Sequence, residues 1–493
     1  MVTSNLAFKE ENSIEPEVVV NESPVKWCAV ALSDVVARGK RLEASVFDVE
    51  AKQARATVVN GKYKWHALGG KDGLIQNAYY PGRFKRIYCD KRTGEAFYLP
   101  SQMAEVYPKS EKYISALTKC DISELRLKPN TLLLTRSGTI GTVSLVSKTT
   151  QGKVYSDDVI RVSFNEVYDT GFIYTFLKSK TGSKILTTNG YGSVITHLEP
   201  EHLATVPIPD APTMLKKKIH DLIVRSYELR DESNDLIDQA TALLIGELKL
   251  PDIDAFDVGL YKKAAPVDTF SVRLSEMSGR LDASYHMPIV DAIIEHLKRY
   301  AEEVTTVGDP RISREVILPG RFKRVYVDEG YGRVLIGGKQ LSELDPSSKK
   351  YLSTAKHDKM LKKLEVHEGT TLITRSGTIG KIAIVPKHWE HYIPSDHIIR
   401  VIPANKDIAG YLNIFLASDY GKVLITRFTY GSVVDEIDDN HVRQIAIPLL
   451  KNHTVQKKIN DLALEANEKR YQAYLLEQEA LQIMDRDVIY AKK

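Results

Sequence analysis

The sequence predicts an α+β protein: two tandem α/β modules, each followed by a long helix, with the two helices paired as an antiparallel coiled coil under pseudo-two-fold symmetry. Three observations predict it. The chain is duplicated end to end, each copy changes once from strand-like to helical patterning, and each helical segment carries a heptad repeat.

The duplication is the firmest of the three. TRSGTIG occurs at Thr135–Gly141 and again at Thr374–Gly380, 239 positions later. PGRFKRIY at Pro81–Tyr88 returns as PGRFKRVY at Pro319–Tyr326, and YSDDVIRV at Tyr155–Val162 as PSDHIIRV at Pro394–Val401. YGSV begins at Tyr191 and at Tyr430, RLEAS at Arg41 matches RLDAS at Arg280, and KKIHDL at Lys217 matches KKINDL at Lys457. The offset stays between 238 and 240 throughout. A repeat this long is a domain pair and not a stacked solenoid. At 493 residues the chain is also too long for a single core.

These boundaries follow: a tail at 1–24, a first module at 25–211, a long helix at 212–248, a linker at 249–266, a second module at 267–450 and a second long helix at 451–490. Within each module, stretches such as FKRIYCD, TLLLTRSG, TVSLVSK and DVIRVSF read as strands between Gly and Pro turns, with one shorter amphipathic helix near GFIYTFLKSKTGSKIL. In the first long helix Leu215, Leu222, Leu229, Leu236 and Leu243 recur every seventh residue, alternating with Ile219, Ser226, Ser233 and Ala240. The second keeps the frame with Val455, Ile459, Leu462, Ala466, Ala473, Leu476, Ala480 and Ile483, interrupted at Lys469. Small residues between large ones allow close helix approach. The heptads leave parallel pairing open; the antiparallel pair, with a module at each end, is the expected arrangement.

Composition excludes several classes. With 43% hydrophobic and 27% charged residues the chain reads as a folded soluble protein, and no apolar run is long enough for a bilayer. The opening residues lack the basic start and apolar core of a secretory signal, so a cytoplasmic location is expected. Cys28, Cys89 and Cys120 show no metal-type spacing and read as thiols in a reducing compartment. A net charge of +4 does not identify a nucleic-acid binder, so local clusters decide.

Two such clusters are RFKR at Arg83–Arg86 and at Arg321–Arg324. On a strand, Arg83 and Lys85 share one face and Phe84 and Arg86 the other, as do Arg321 and Lys323 against Phe322 and Arg324. A basic edge of this kind suits a phosphate backbone, and Arg also grips guanine bidentately. TRSGTIG sits between two apolar strands and reads as a tight hairpin whose glycines take positive φ. A structural hairpin needs only the glycines, so Arg136, Ser137 and Thr139, with Arg375, Ser376 and Thr378, are candidate DNA contacts. The second polar loop supplies Asn189, Tyr191 and Ser193, against Arg427, Tyr430 and Ser432 in the other copy. Thr188–Asn189 opposes Arg427–Phe428 and Thr196–His197 opposes Asp435–Glu436, differences that fit either two related readers selecting different bases or drift in a surface loop.

Catalytic constellations are scarce. The Asn/Asp-Pro-Pro-aromatic tetrad of an amino-methyltransferase is missing, as is a Gly-rich cofactor loop after a strand. His388 and His391 in HWEH have a weakly metal-like spacing, but copy one has Thr149 and Gly152 there, so no metal site is expected. Asp157–Asp158 is replaced by Asp396–His397, which argues for structure over shared acid–base chemistry.

Taken in order, these features resemble the specificity subunit of a type I restriction–modification system. The resemblance rests on the RLDA-type start, the PGRFKR strand, the LITRSGTIGKIAIV hairpin, the YGS loop with its VPIP or AIP exit, and the long helix closing each copy. It covers the chain from about residue 25 on. It implies a non-catalytic reader whose modules are target-recognition domains, each gripping half of a split site in double-stranded DNA. The helices would act as a ruler and as the platform for two methyltransferase (modification) subunits, which a restriction/translocase subunit can join. S-adenosylmethionine for adenine-N6 methylation, and ATP and Mg, would sit on those partners and no cofactor on this chain. The two modules are more alike than is usual in that family, which implies similar half-sites. Two rivals remain: a recognition subunit of another methyltransferase-based defence system, and a self-contained DNA methyltransferase or nuclease, which the missing motifs oppose.

Overall fold

The computed structural model describes residues 29–492 apart from 38–39, 41, 43, 192–195, 257–269, 278 and 432. The expected tail, most of the expected linker, Arg41, Ser193 and Ser432 therefore lie outside the described residues. The chain divides into two compact units. Unit 1 holds the described residues up to Ala104, then Pro108–Tyr227 and those from Leu475 on; unit 2 holds Glu105–Tyr107 and Glu228–Tyr474.

Unit 1 is built on a four-stranded antiparallel sheet in the order Ile75–Tyr79, Val159–Phe164, Leu132–Thr135, Val143–Leu145. Four short strands form a second sheet: Tyr88–Cys89, Lys112–Ser115, Gly94–Tyr98 and Val154–Tyr155, the last pair parallel. Trp65–Ala67 pairs with Pro207–Pro209. Unit 2 repeats this plan strand for strand. Its larger sheet runs Ser313–Ile317, Ile398–Pro403, Thr371–Thr374, Ile382–Ile384, and its smaller one Tyr326–Val327, Lys350–Ser353, Gly332–Ile336, Ile393–Pro394. The central strands are apolar on both faces because helices cover one side and the second sheet the other; Leu132, Leu133 and Leu134 are all buried.

The helical content differs from the expectation. The segment read as one amphipathic helix is two, Val167–Lys178 and Lys180–Thr187. Ser179 between them is extended, and its Oγ accepts from the Gly182 amide at 3.0 Å, ending one helix and capping the next. The first is buried all round, from Phe172 to Leu177, which is why its amphipathic stripe is faint. Ser418 does the same between Lys406–Ala417 and Asp419–Thr426. Three further helices of eleven residues or more lie within stretches whose pattern reads mainly as strands: Val49–Val59 in unit 1, and Pro288–Tyr300 and Thr354–Leu364 in unit 2. Pro288–Tyr300 carries a regular apolar stripe, with buried Val290, Ile293 and Leu297 flanked by Ile289 and Ile294, so its helical spacing is present in the sequence.

The long helices are Thr213–Glu247 and His453–Ile483, the second ending in a π-turn at Met484–Ile489. They pack against each other in opposite senses. In unit 1 the start of the first, through Ile219 and Ile223, shares an apolar cluster with Ala480, Ile483 and Met484 at the end of the second. In unit 2 the end of the first, through Ala240, Leu244 and Leu248, clusters with Ile459 and Ala463 near the start of the second. Between these, Arg470 donates to Ser233 Oγ at 2.9 Å and Lys469 to Glu232 at 2.7 Å.

The buried row runs one residue away from the leucines. On the first helix it is Ile219, Ile223, Ser226, Arg230, Ser233, Ala240 and Leu244; on the second, Ile459, Ala463, Ala466, Ala473, Glu477, Ala480 and Met484. Both keep the alternating four-and-three steps of a coiled-coil seam. Of the heptad leucines only Leu229 is fully buried; Leu215, Leu222, Leu236 and Leu243, like Leu462 and Leu476, are half-buried. The small residues take the line of closest approach, and the larger side chains flank it. Leu215 and Leu222 pack on the unit 1 core, Leu243 and Leu462 on that of unit 2.

Each long helix is also tied to its module at one equivalent point. His220 Nδ1 accepts from the Gly171 amide at 3.2 Å, and Asn460 Oδ1 from the Gly410 amide at 2.8 Å. A Cβ on Gly171 would lie 2.8 Å from His220 Cα, and one on Gly410 2.3 Å from the Asn460 carbonyl oxygen, so both crossings require glycine.

Candidate nucleic-acid interface

In unit 1 the motifs meet through one chain of polar contacts. Arg86 pairs with Asp157 at 2.6 Å, donates to Ser156 Oγ at 3.1 Å and approaches Asp158 at 3.6 Å. Asp158 in turn lies 3.5 Å from Arg136, which binds Glu199 at 2.6 Å and lies over the Tyr80 ring, 4.1 Å from its centre. Glu199 also accepts from the Tyr191 hydroxyl at 2.6 Å. Backbone bonds lock the loops together: Gly138 N to Thr196 O at 3.1 Å and Leu198 N to Arg136 O at 2.8 Å. RFKR, SDD, TRSGTIG and the YGS loop thus form one site from segments far apart in sequence.

Unit 2 repeats the plan with changed parts. Arg324 pairs with Asp396, and Arg375 with Glu436 while its Nε donates to Ile437 O at 3.1 Å. Where unit 1 has Asp158, unit 2 has the exposed His397, whose Nδ1 is 2.6 Å from Ser376 Oγ. Tyr430 and Glu436 exchange both backbone hydrogen bonds.

The electrostatics of this core are self-compensating. Burial opposes charge on Arg136 and Arg86, but the Glu199 and Asp157 carboxylates outweigh it and raise both guanidinium pKa values. Burial alone would raise Glu199, yet hydrogen bonds from Tyr191 and Arg136 bring it below the ordinary carboxylate range. Arg136 is only 6% exposed, so its guanidinium organises the loop and is turned away from solvent.

The outer cations behave differently. Arg83 and Lys85, and Arg321 and Lys323, are exposed, whereas Phe84 and Arg86, and Phe322 and Arg324, are half-buried. The expected alternation is present, but the strand is not: the ladder begins only at Tyr88 and Tyr326. RFKR is an extended lead-in, held by Phe84 packing edge-on against Phe97 and by the inner arginine. TRSGTIG is the expected hairpin turn, joining Leu132–Thr135 to Val143–Leu145, with Gly138 and Gly377 at φ of +78° and +72°. Thr139 and Thr378 at its tip are exposed, while Ser137 and Ser376 are half-buried. Tyr191 and Tyr430 are at the surface. Asn189 is buried and donates to His202 O at 3.4 Å, and Arg427 lies over the Tyr285 ring.

Residues the motif reading passed over complete the site. Arg161 and Arg400 are 2% and 1% exposed. Arg161 donates to the carbonyls of Tyr155, Ser156, Val159 and Leu125, clasping the turn that carries Asp157 and Asp158; Arg400 holds Pro394 O at 2.8 Å. Burial lowers both arginines to about 10. The available signal was a charged residue inside otherwise apolar DVIRV and HIIRV strands, in both copies. His388 of HWEH is 2.6 Å from Leu344 O and stacks on Tyr474, so it does not form a ligand pair with His391.

No family model matches the chain, and no curated protein matches it. Among solved structures it is similar to the type I restriction–modification system S subunit from M. genitalium, at 13% identity over 87% of this chain and 96% of that one, with a TM-score of 0.33. It is also similar to the HsdS subunit from Thermoanaerobacter tengcongensis, at 12% identity over 87% and 98% of the two chains, TM-score 0.26. A third similar chain comes from a structure described as the basis of complex assembly and conformational transition of the type I R-M system: 12% identity, 85% and 99% coverage, TM-score 0.26. At these scores the alignments decide nothing by themselves, and the functional reading rests on the chain's own residues. No described helix is long and apolar enough to cross a membrane.

Proposed function

We propose that this chain is the sequence-specific DNA-recognition subunit of a type I restriction–modification complex. Each module reads one half of a bipartite site in double-stranded DNA, and the helix pair sets the gap. The chain contributes no catalytic group of its own. It docks two adenine-N6 methyltransferase subunits and a restriction/translocase subunit, and these carry S-adenosylmethionine, ATP and Mg in the cytoplasm.

One observation carries the reading: the same site occurs in both units, with its inner arginines neutralised by carboxylates and its outer cations left exposed. Internal pairing fixes the geometry of the loops, and uncompensated cations beside them are what a phosphate backbone attracts. Arg83, Lys85, Arg321 and Lys323 are therefore assigned to phosphates. Thr139, Thr378, Tyr191 and Tyr430 are assigned to base edges and sugars, and Arg136 and Arg375 to positioning. The unlike residues Asp158 and His397 stand at equivalent points and give the two modules different readout.

The test is selection from random duplex DNA with the full-length chain. Two short half-sites at a constant separation are expected. A single uninterrupted motif, or no enrichment, would overturn the proposal.

A further inference from the structure

Unit 2 contains a cluster that has no counterpart in unit 1 and no part in the DNA reading. His367, Glu390 and His391 each bring one ligand-type atom into a group whose members all lie within 4.8 Å of one another. His367 Nδ1 is 2.5 Å from Glu390 Oε1, and the two imidazoles meet edge to face, 5.7 Å between ring centres. The three side chains are partly exposed, so an ion would have an entry path from solvent.

The backbone beneath the cluster is fixed. Val366 N donates to Tyr392 O at 3.0 Å and His391 N to Val366 O at 2.9 Å, tying the two ligand-bearing segments together. Unit 1 builds the same frame, with Leu127 N to Lys153 O at 3.0 Å and Gly152 N to Leu127 O at 2.9 Å. At the matching positions it has Lys128, Gln151 and Gly152, none a set that holds a metal. The frame therefore does not need the histidines.

His391 also has an unusual backbone conformation. Its φ is +65°, a conformation L residues with a side chain rarely adopt, and unit 1 places glycine there at φ +76°. Histidine carries a backbone cost at this position that glycine would not, and the imidazole is what unit 2 has there in exchange. An outer partner is also present: Glu365 lies 3.1 Å from His391 Nδ1 and is itself paired with Arg333, as carboxylates that orient ligating histidines are.

We propose that His367, Glu390 and His391 bind one divalent transition-metal ion of the zinc class, water completing its shell. Two imidazoles and one carboxylate suit a borderline ion and not Mg²⁺ or Ca²⁺, which prefer all-oxygen shells. The ion cross-links the turn after Trp389 to the chain entering strand Thr371–Thr374, and so stiffens unit 2.

The experiment uses the full-length chain stripped with a chelator and titrated with ZnCl₂ by calorimetry, with Co²⁺ absorption reporting the coordination shell. One Zn²⁺ per chain is expected, not displaced by excess Mg²⁺. His391→Gly and His367→Gln should each weaken it at least tenfold and abolish the Co²⁺ band. Because glycine suits the backbone at 391, His391→Gly should be at least as heat-stable as the parent without metal, and only the parent should gain stability when zinc is added. Equal zinc binding by parent and His391→Gly, which means an adventitious ion only, or no binding by the parent, would overturn the proposal.

Discussion

At the scale of single residues, the repeated arginines divide into two kinds that the sequence alone does not separate. Arg83 and Arg136 both stand in short basic or polar motifs present in both copies, yet one is exposed and the other is sealed between Glu199, Asp158 and Tyr80. Arg83→Ala or Arg321→Ala should weaken DNA binding and lower the slope of log affinity against log salt by about one, with no change in melting temperature. Arg136→Ala leaves Glu199 half-buried without its cation and should cost about 3 kcal/mol of stability, read from thermal or denaturant unfolding. The motifs do not reveal this split, because the paired carboxylates come from segments brought close only by the fold. A pH effect belongs to this scale too. Burial holds the His220 imidazole below its ordinary pKa, against the weaker pull of Asp221. The unfolded chain therefore takes the proton first, and stability contributed here is lost as pH falls below about 6.5. Comparing melting at pH 7.5 and 5.5, His220→Asn, which copies the residue at 460, should show a smaller acid loss than the parent; an equal loss would contradict the assignment.

At the scale of elements, the heptad pattern revealed the two long helices and one row of their seam, through Ser226, Ser233, Ala466 and Ala473, but put the other row one residue off, at the leucines. Leucines recurring every seventh position are a strong signal, yet here each helix must cover both its partner and its own module. Ser226, Ser233, Ala466, Ala473 and Ala480 take the closest line, and half-buried leucines such as Leu222 and Leu462 pack on the modules. Ala473→Leu should accordingly destabilise the protein by about 1–3 kcal/mol in denaturant unfolding, whereas Leu475→Ala, at an exposed position, should be nearly silent. The hairpin at TRSGTIG was legible because glycine placement and flanking apolar runs are local. The break at Ser179 was not: it depends on Gly182 meeting the Phe176 carbonyl oxygen, where a Cβ would come within 1.9 Å.

At the scale of the whole molecule, the duplication was legible from repeated words in the sequence, and the two units repeat one sheet plan. What the words did not reveal is how each unit is assembled, since the first long helix passes from unit 1 into unit 2 at Tyr227 and the second returns at Leu475. That sharing suits a reader whose two sites must act together. Lengthening both helices by one heptad at matching points keeps the seam and adds about 10 Å of helix. The preferred gap between half-sites should then grow by about three base pairs at a rise of roughly 3.4 Å each. The most direct measurement of the central claim is binding of the full-length chain to a series of duplexes that carry both selected half-sites at different separations. The account predicts one sharp affinity maximum, at the same separation but lowered in Arg83→Ala and Arg321→Ala alike. Affinity that does not depend on the separation, or that only one of the two substitutions disturbs, would contradict it.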